Sequence, residues 1–155
     1  MVIRRFKNED SAELADVIAK TLRTSNAKDY SAEYIENYII SLSAEKLIER
    51  SSWRNYYVAC DDDKIIGCGG IGPYWGKEDE SSLFTIFVLP EYQGKGIGRE
   101  IIETLEQDEY FLRAKRIEIP ASITAVDFYR KMGYDYKNGI AELDEEQLYR
   151  LEKFR

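Results

Sequence analysis

Between Leu14 and Ile48 the apolar positions recur at helical spacing; from Trp53 onward they bunch into short runs separated by turn residues. Val2 to Phe6 reads as a first strand. Asp10 or Ser11 suits the cap of a helix carrying Leu14, Val17, Ile18 and Leu22 on one face. After a loop from Asn26 to Tyr30, Ser31 opens a second helix with Ile35, Tyr38, Ile39 and Leu42, and a third helical stretch holds Leu47 and Ile48. Strands follow over Tyr56–Cys60 and Ile65–Ile71, joined by the turn Asp61-Asp62-Asp63-Lys64. Gly72 to Gly76 begins a flexible connection, and Leu83 to Leu89 forms the next strand. The helix after it places Ile97, Ile101 and Leu105 together. Arg116 to Ile119 is a short strand, and Ser122 or Thr124 opens a helix that runs to Met132 and stops at Gly133. Tyr134 to Ile140 has strand character, although Asn138-Gly139 is also a turn signal, and Gln147 to Phe154 is a final strand. The order βααα-βββ-α-β-α-ββ predicts a mixed α/β layout.

Composition narrows the chemistry. A chain of 155 residues suits one domain over residues 1–155 with one core. The net charge of −7 argues against nonspecific nucleic-acid binding. There is no histidine, which removes the commonest general base, the Ser-His pairing and most metal sites, so no metal is expected. Cys60 and Cys68 form no C-x-x-C pair and read as small apolar residues in a reducing compartment. The start, Met1 to Phe6, lacks a long apolar stretch, and no segment is long enough to span a bilayer. These readings predict a cytoplasmic protein with no membrane partner.

The most informative segment is Val88-Leu89-Pro90-Glu91-Tyr92-Gln93-Gly94-Lys95-Gly96-Ile97-Gly98-Arg99. A strand stops at a proline, three glycines follow at alternate positions, and a helix begins. Glycine admits positive φ and lets a ligand approach the backbone. A helix start carries unsatisfied N–H groups and the positive end of the dipole. Together they make an anion cradle suited to phosphate, with Lys95 and Arg99 as added charge. The spacing is not that of a P-loop, because Lys95 lies between glycines and no Ser or Thr follows it. Nor is it G-x-G-x-x-G at the start of a βαβ unit.

The arrangement resembles the pyrophosphate loop of the GNAT N-acetyltransferases, Q/R-x-x-G-x-G/A, with Gln93, Gly96 and Gly98 at its defined positions. The strand Ile86 to Pro90 is similar to the family's hydrophobic strand ending in V-x-P. Downstream, Ala125-Val126-Asp127-Phe128-Tyr129-Arg130-Lys131-Met132-Gly133-Tyr134 resembles its A-x-x-F-Y-x-x-x-G-F/Y segment. The resemblance implies the GNAT fold, a twisted mixed sheet splayed between strands 4 and 5. It also implies acetyl-coenzyme A as acyl donor. The pyrophosphate would then meet the backbone of Gly94, Lys95, Gly96, Ile97, Gly98 and Arg99, and the pantetheine arm that of Ile86, Phe87 and Val88. Ser122 falls where many relatives use asparagine on that arm; a helix cap is its other reading. Tyr129 falls where the family commonly has its general acid, although its helical face also suits core packing. Glu118, on the expected fifth strand, is the nearest candidate base, against a default of surface charge.

Acceptor choice in this fold usually comes from the first interhelical segment and the loop before the fourth strand. Tyr30, Tyr34, Tyr74 and Trp75 lie there among acidic residues and suit an ammonium-bearing acceptor, whether a small molecule or a protein N-terminus. Members of the family often dimerise, so a homodimer is allowed. Two other classes stand beside acetyl transfer. One is a coenzyme A-binding module without turnover, which the lack of an evident base permits. The other is a nucleotide-binding oxidoreductase, which fits poorly because no second βαβ half is present.

Overall fold

The strand-forming runs assemble into one seven-stranded sheet of order β1-β2-β3-β4-β5-β7-β6 in a computed structural model that describes residues 1–155. The strands are β1 (Val2–Arg5), β2 (Asn55–Asp61), β3 (Lys64–Pro73), β4 (Glu80–Val88), β5 (Arg116–Ala121), β6 (Asp135–Tyr136) and β7 (Tyr149–Phe154). The helices are α1 (Ser11–Thr24), α2 (Ala32–Ser41), α3 (Ala44–Arg50), α4 (Ile97–Leu105), α5 (Glu109–Leu112) and α6 (Val126–Lys131). Every element expected from the residue pattern is present, and α5 is an addition.

Strands β1 to β4 form an antiparallel meander. β4 and β5 run parallel and pair only through Glu80–Ser82 and Arg116–Glu118. Past that short seam the β5-side edge of β4 has no strand partner, so the sheet opens into a V. β5 then pairs antiparallel with β7, and β7 with β6.

Small residues on β3 let helices and rings approach both faces. A Cβ on Gly69 would stand 2.6 Å from Ile101 and 3.0 Å from Leu105, so α4 seats directly on that face. On the other face a Cβ on Gly70 would meet Tyr56 and Phe84 at 2.8 Å. α4 buries Ile97, Ile101, Ile102 and Leu105; burying such side chains contributes about 1.5–3 kcal/mol each. α1 buries Leu14, Val17, Ile18 and Leu22 and packs on α2, α3 and β3.

Local chemistry accounts for the differences from the expected boundaries. β3 continues through Gly72 to Pro73, because its pairing with Ser81 and Ser82 holds the chain extended where a flexible connection was expected. The run from Tyr134 keeps only Asp135 and Tyr136 as strand; Asn138, at φ 55°, turns the chain, so the Asn-Gly signal prevails. α5 is too short for a periodic signal. It forms because Asp108 accepts from Tyr110 N at 2.8 Å, while Tyr57 and Asn55 donate to the same carboxylate at 2.7 and 3.0 Å. Cys60 and Cys68 are free and buried, and no helix is long and apolar enough to cross a membrane.

Candidate functional site

The open V between β4 and β5 leads into a cleft of about 470 Å³. Its walls come from the end of α1 and the segment after it, from α2, from β4 residues Phe84–Val88, from the glycine loop, and from β5 and α6. Of the expected residues, Tyr30, Tyr34, Ile86, Phe87, Val88, Gln93, Gly94, Gly96, Ile97, Gly98, Arg99, Ser122 and Tyr129 all line it.

The three loop glycines serve two different purposes. Gly94 and Gly96 have φ of 77° and 81°, and nothing lies within 4 Å of where a Cβ would stand. Their positive φ turns the chain from β4 into α4, and Gly96 is the residue that precedes the helix. Gly98 is instead a matter of approach, since a Cβ there would meet the Phe128 ring of α6 at 3.2 Å. The successive backbone N–H groups of Gly94 through Arg99 donate to no acceptor in the protein. Gln93 tethers the loop through its side chain, Nε2 donating to Val88 O and to Ser25 Oγ, each at 2.9 Å. Lys95 stands 5.4 Å from the Tyr92 ring centre and does not line the cleft. The cations that do are Lys28 and Arg99, and neither has a carboxylate partner. No acidic residue lines the cleft.

Strand β4 carries a feature that the residue pattern does not announce. Cys68 pairs with Phe87 and Gly70 with Phe84, so Thr85 and Ile86 together oppose Gly69. This bulge puts Thr85 at φ 54°, an outlier for a β-branched residue. Thr85 is buried, its carbonyl accepts from the Cys68 thiol at 3.1 Å, and it lines the cleft. Burial pushes the Cys68 thiol up to about 12, so it stays protonated and inert.

Tyr129 is 5% exposed and its hydroxyl makes no hydrogen bond to protein. Burial raises its pKa well above the ordinary tyrosine value. Across the cleft, tyrosines at four-residue spacing form a ladder. Tyr30 and Tyr34 stack at 4.4 Å, Tyr34 meets Tyr38 at 6.1 Å, and Tyr38 stands edge-on to Phe87 at 6.4 Å. Tyr30 also ties two loops, donating to Gln147 O and accepting from Ile123 N, both at 2.8 Å. Tyr38 was legible as part of this ladder from its spacing alone; Asn26, Lys28 and Leu148 carry no such signal.

Besides Lys95, three expected residues lie elsewhere. Glu118 is 2% exposed, outside the cleft wall, and bound by Arg116, by Lys137 at 2.9 Å and by Arg150 at 3.7 Å. Strand alternation turns it away from the opening, and three cations occupy its oxygens. Tyr74 also falls outside the cleft, with Arg116 at 5.2 Å and Lys137 at 5.5 Å over its ring. Trp75 sits on the hairpin tip, 84% exposed. The β3–β4 hairpin stays paired to its end, which holds both rings away from the opening. Ser122 Oγ accepts from Ala125 N at 3.1 Å, as a capping residue does, while the residue also lines the cleft.

Comparison with known proteins agrees with this geometry. The family model for an acetyltransferase (GNAT) domain matches residues 52–136, more than half of the chain. No curated protein matches its sequence. Among solved structures it is similar to the PaiA N-acetyltransferase of Thermoplasma acidophilum in complex with coenzyme A. That match has a TM-score of 0.83 and 24% identity over 99% of this chain and 98% of that one. A GCN5-related N-acetyltransferase from Rhodopseudomonas palustris aligns with a TM-score of 0.79 and 22% identity, over 99% and 95% of the chains. An aminoglycoside 6'-N-acetyltransferase complexed with coenzyme A aligns with a TM-score of 0.69 and 19% identity, over 98% and 94%. At these identities the likeness is one of fold. The loop, the parted strands and the family match agree, and the chain belongs to the GNAT acetyltransferases.

Proposed function

We propose that the chain moves an acetyl group from acetyl-coenzyme A to a primary amine held in the same cleft. The observation that carries this reading is the row of uncommitted N–H groups from Gly94 to Arg99 at the cleft wall. Backbone donors at a helix start, with open space where a Cβ would stand, fit a diphosphate, and Arg99 and Lys28 add uncommitted positive charge. Ile97 and Gly98 close this cradle against α6, and Ser122 borders the path from it. The unpaired edge of β4 at Ile86, Phe87 and Val88 offers main-chain groups to an extended ligand arm, as a missing strand would.

Acetyl-coenzyme A supplies the acyl carbon as a thioester when bound. A β4 N–H polarises the acyl carbonyl, acting as an oxyanion donor. The amine nitrogen bonds to the acyl carbon, the carbon–sulfur bond breaks, the amine sheds a proton and the thiolate gains one. Tyr129 Oη, kept protonated by burial and without a partner in the protein, donates to the sulfur. Because the cleft wall holds no carboxylate, the amine's proton leaves to water. The same lack supports a second reading, a coenzyme A-binding module without turnover.

One experiment separates the readings. Acetyl-coenzyme A is titrated in a thermal-shift assay, and thiol release is then followed across an amine panel. A shift in Tm with amine-dependent thiol release supports transfer. A shift without thiol release leaves the binding module, and no shift at millimolar ligand removes both.

A further inference from the structure

The wall of the cleft holds no group that would take a proton from an incoming amine. Its formal charges are the cations Lys28 and Arg99, neither with a carboxylate partner. Its other titratable groups are the phenols of Tyr30, Tyr34, Tyr38, Tyr92 and Tyr129. Burial raises the pKa of four of them, and a hydrogen bond to Asp61 raises that of Tyr92. All five are therefore neutral at pH 7. The acids nearest the tyrosines, Asp29, Asp144 and Glu146, do not line the cleft. Their oxygens are engaged: Thr124 donates to Asp29 at 2.7 Å, and Arg150 holds Asp144 at 2.7 Å and Glu146 at 3.4 Å.

The chemistry of the amine turns this into a choice of substrate. An alkyl amine has a pKa of about 10, so at pH 7 on the order of one molecule in a thousand has the free lone pair that attack requires. Aromatic walls do not raise that fraction, because cation–π contact favours the protonated form. Two uncompensated cations repel the same form. An aromatic amine differs, because its lone pair is drawn into its ring and it is neutral at pH 7 without a base. Its ring also has a seat in this cleft. Tyr38 meets Tyr34 at 6.1 Å and stands edge-on at 6.4 Å to Phe87, which lies on the unpaired edge of β4. Tyr38 is near enough to Tyr129 to act on its phenol. Rings at such spacings accept a further ring stacked or edge to face.

We infer that the acceptor is an aromatic primary amine, uncharged at pH 7, whose ring packs against Tyr38 in the tyrosine ladder. This rests on the acetyl-transfer reading and names the acceptor class for it. The amine nitrogen bonds to the acyl carbon and becomes positive, and its N–H is then acidic enough to pass to water with no protein base. The carbon–sulfur bond breaks, the sulfur takes the proton of Tyr129, and the phenolate recovers one from water. Tyr38 sets specificity by holding the ring, and Lys28 and Arg99 set it by repelling polycations.

The test uses the full chain with saturating acetyl-coenzyme A and follows thiol release above the enzyme-free rate. The acceptors are aniline and p-anisidine, benzylamine as an alkyl amine with the same ring, and spermidine. At pH 7 the two arylamines are expected to exceed benzylamine and spermidine in kcat/KM by about ten-fold or more. Between about pH 6 and pH 8, kcat/KM is expected to stay within about two-fold for aniline and to climb about ten-fold per pH unit for benzylamine, as its neutral fraction grows. Tyr38→Leu is expected to raise KM for the arylamines by about ten-fold with kcat little changed, and Tyr38→Phe, which keeps the ring, to recover most of that loss. Equal or better use of benzylamine or spermidine at pH 7, a flat profile for benzylamine, or a Tyr38→Leu loss as large for spermidine overturns the inference and leaves acetyl transfer standing. If Tyr38→Leu fails to fold, the wild-type ranking and the pH profiles decide alone. No thiol release from any acceptor removes the transfer reading, and this inference with it.

Discussion

A tyrosine can bury its ring while its hydroxyl stays accessible at a cleft. Tyr129 keeps its hydroxyl free at the wall of a cleft while its ring packs beside Phe128, 5.5 Å away. Its sequence position suited both an acid and a core residue; the structure packs its ring with the core and sets the residue on the cleft wall. Tyr129→Phe removes only the oxygen. The expected result is a fall in kcat of about ten-fold or more with acetyl-coenzyme A affinity within about two-fold, read by steady-state kinetics and calorimetric titration. Thr85 shows what a single residue conceals. A threonine inside a run of apolar residues reads as an ordinary strand position, because backbone strain follows from the register of β3 against β4 and from nothing local.

Among elements, the strand–loop–helix unit from β4 to α4 carries the densest information. Its glycines, its proline and its apolar stripe each have a local cause, so the unit was legible in the residues. What they did not disclose was the division of labour, with Gly94 and Gly96 setting backbone direction and Gly98 setting helix separation. Gly96→Ala forces a Cβ into the left-handed region at φ 81°, which costs about 1–2 kcal/mol. Because this residue leads directly into α4, the strain falls on the anion cradle. The expected outcome is acetyl-coenzyme A affinity lower by about ten-fold, alongside a Tm lowered by several degrees. Isothermal titration and a melting curve check the two effects separately. The short helix α5 lay beyond reach of periodicity, being held by polar contacts to Asp108, while the strand expected from Tyr134 shrank to β6, held by its pairing with β7.

At the scale of the whole molecule, two half-sheets meet at one narrow seam. Glu80, Arg116, Glu118 and Glu152 all sit on or beside that seam. Arg116 bonds Glu80 and Glu152 at 2.8 Å each and also holds Glu118. This arrangement was invisible in the sequence, because it joins three strands that are distant along the chain. It also accounts for Glu118, whose carboxylate serves the seam. Glu118→Gln removes the buried carboxylate that the part-exposed Arg116, Lys137 and Arg150 share, and a loss of about 2 kcal/mol is expected in denaturant unfolding. Turnover of the folded variant is expected to stay within about two-fold; a drop of orders of magnitude would return Glu118 to the chemistry. Alkaline pH tests the aromatic lining. Burial raises the pKa of Tyr38 and of Tyr57 to about 12 and also raises those of Tyr30, Tyr34, Tyr129 and Tyr134. Folded-state values above the unfolded value mean the native state holds protons that the unfolded chain releases. Their stabilisation is therefore complete below about pH 10 and declines as pH rises beyond it. Melting temperatures are expected to be flat from pH 7 to 9 and to fall steeply above about pH 10, while ultraviolet absorbance follows phenolate formation. The seam has one more effect. A wedge fastened at its vertex works as a lever, with slight rotation at the narrow end becoming large travel at the mouth. Any spreading of that mouth is resisted by a clasp of opposite charges at the narrow end.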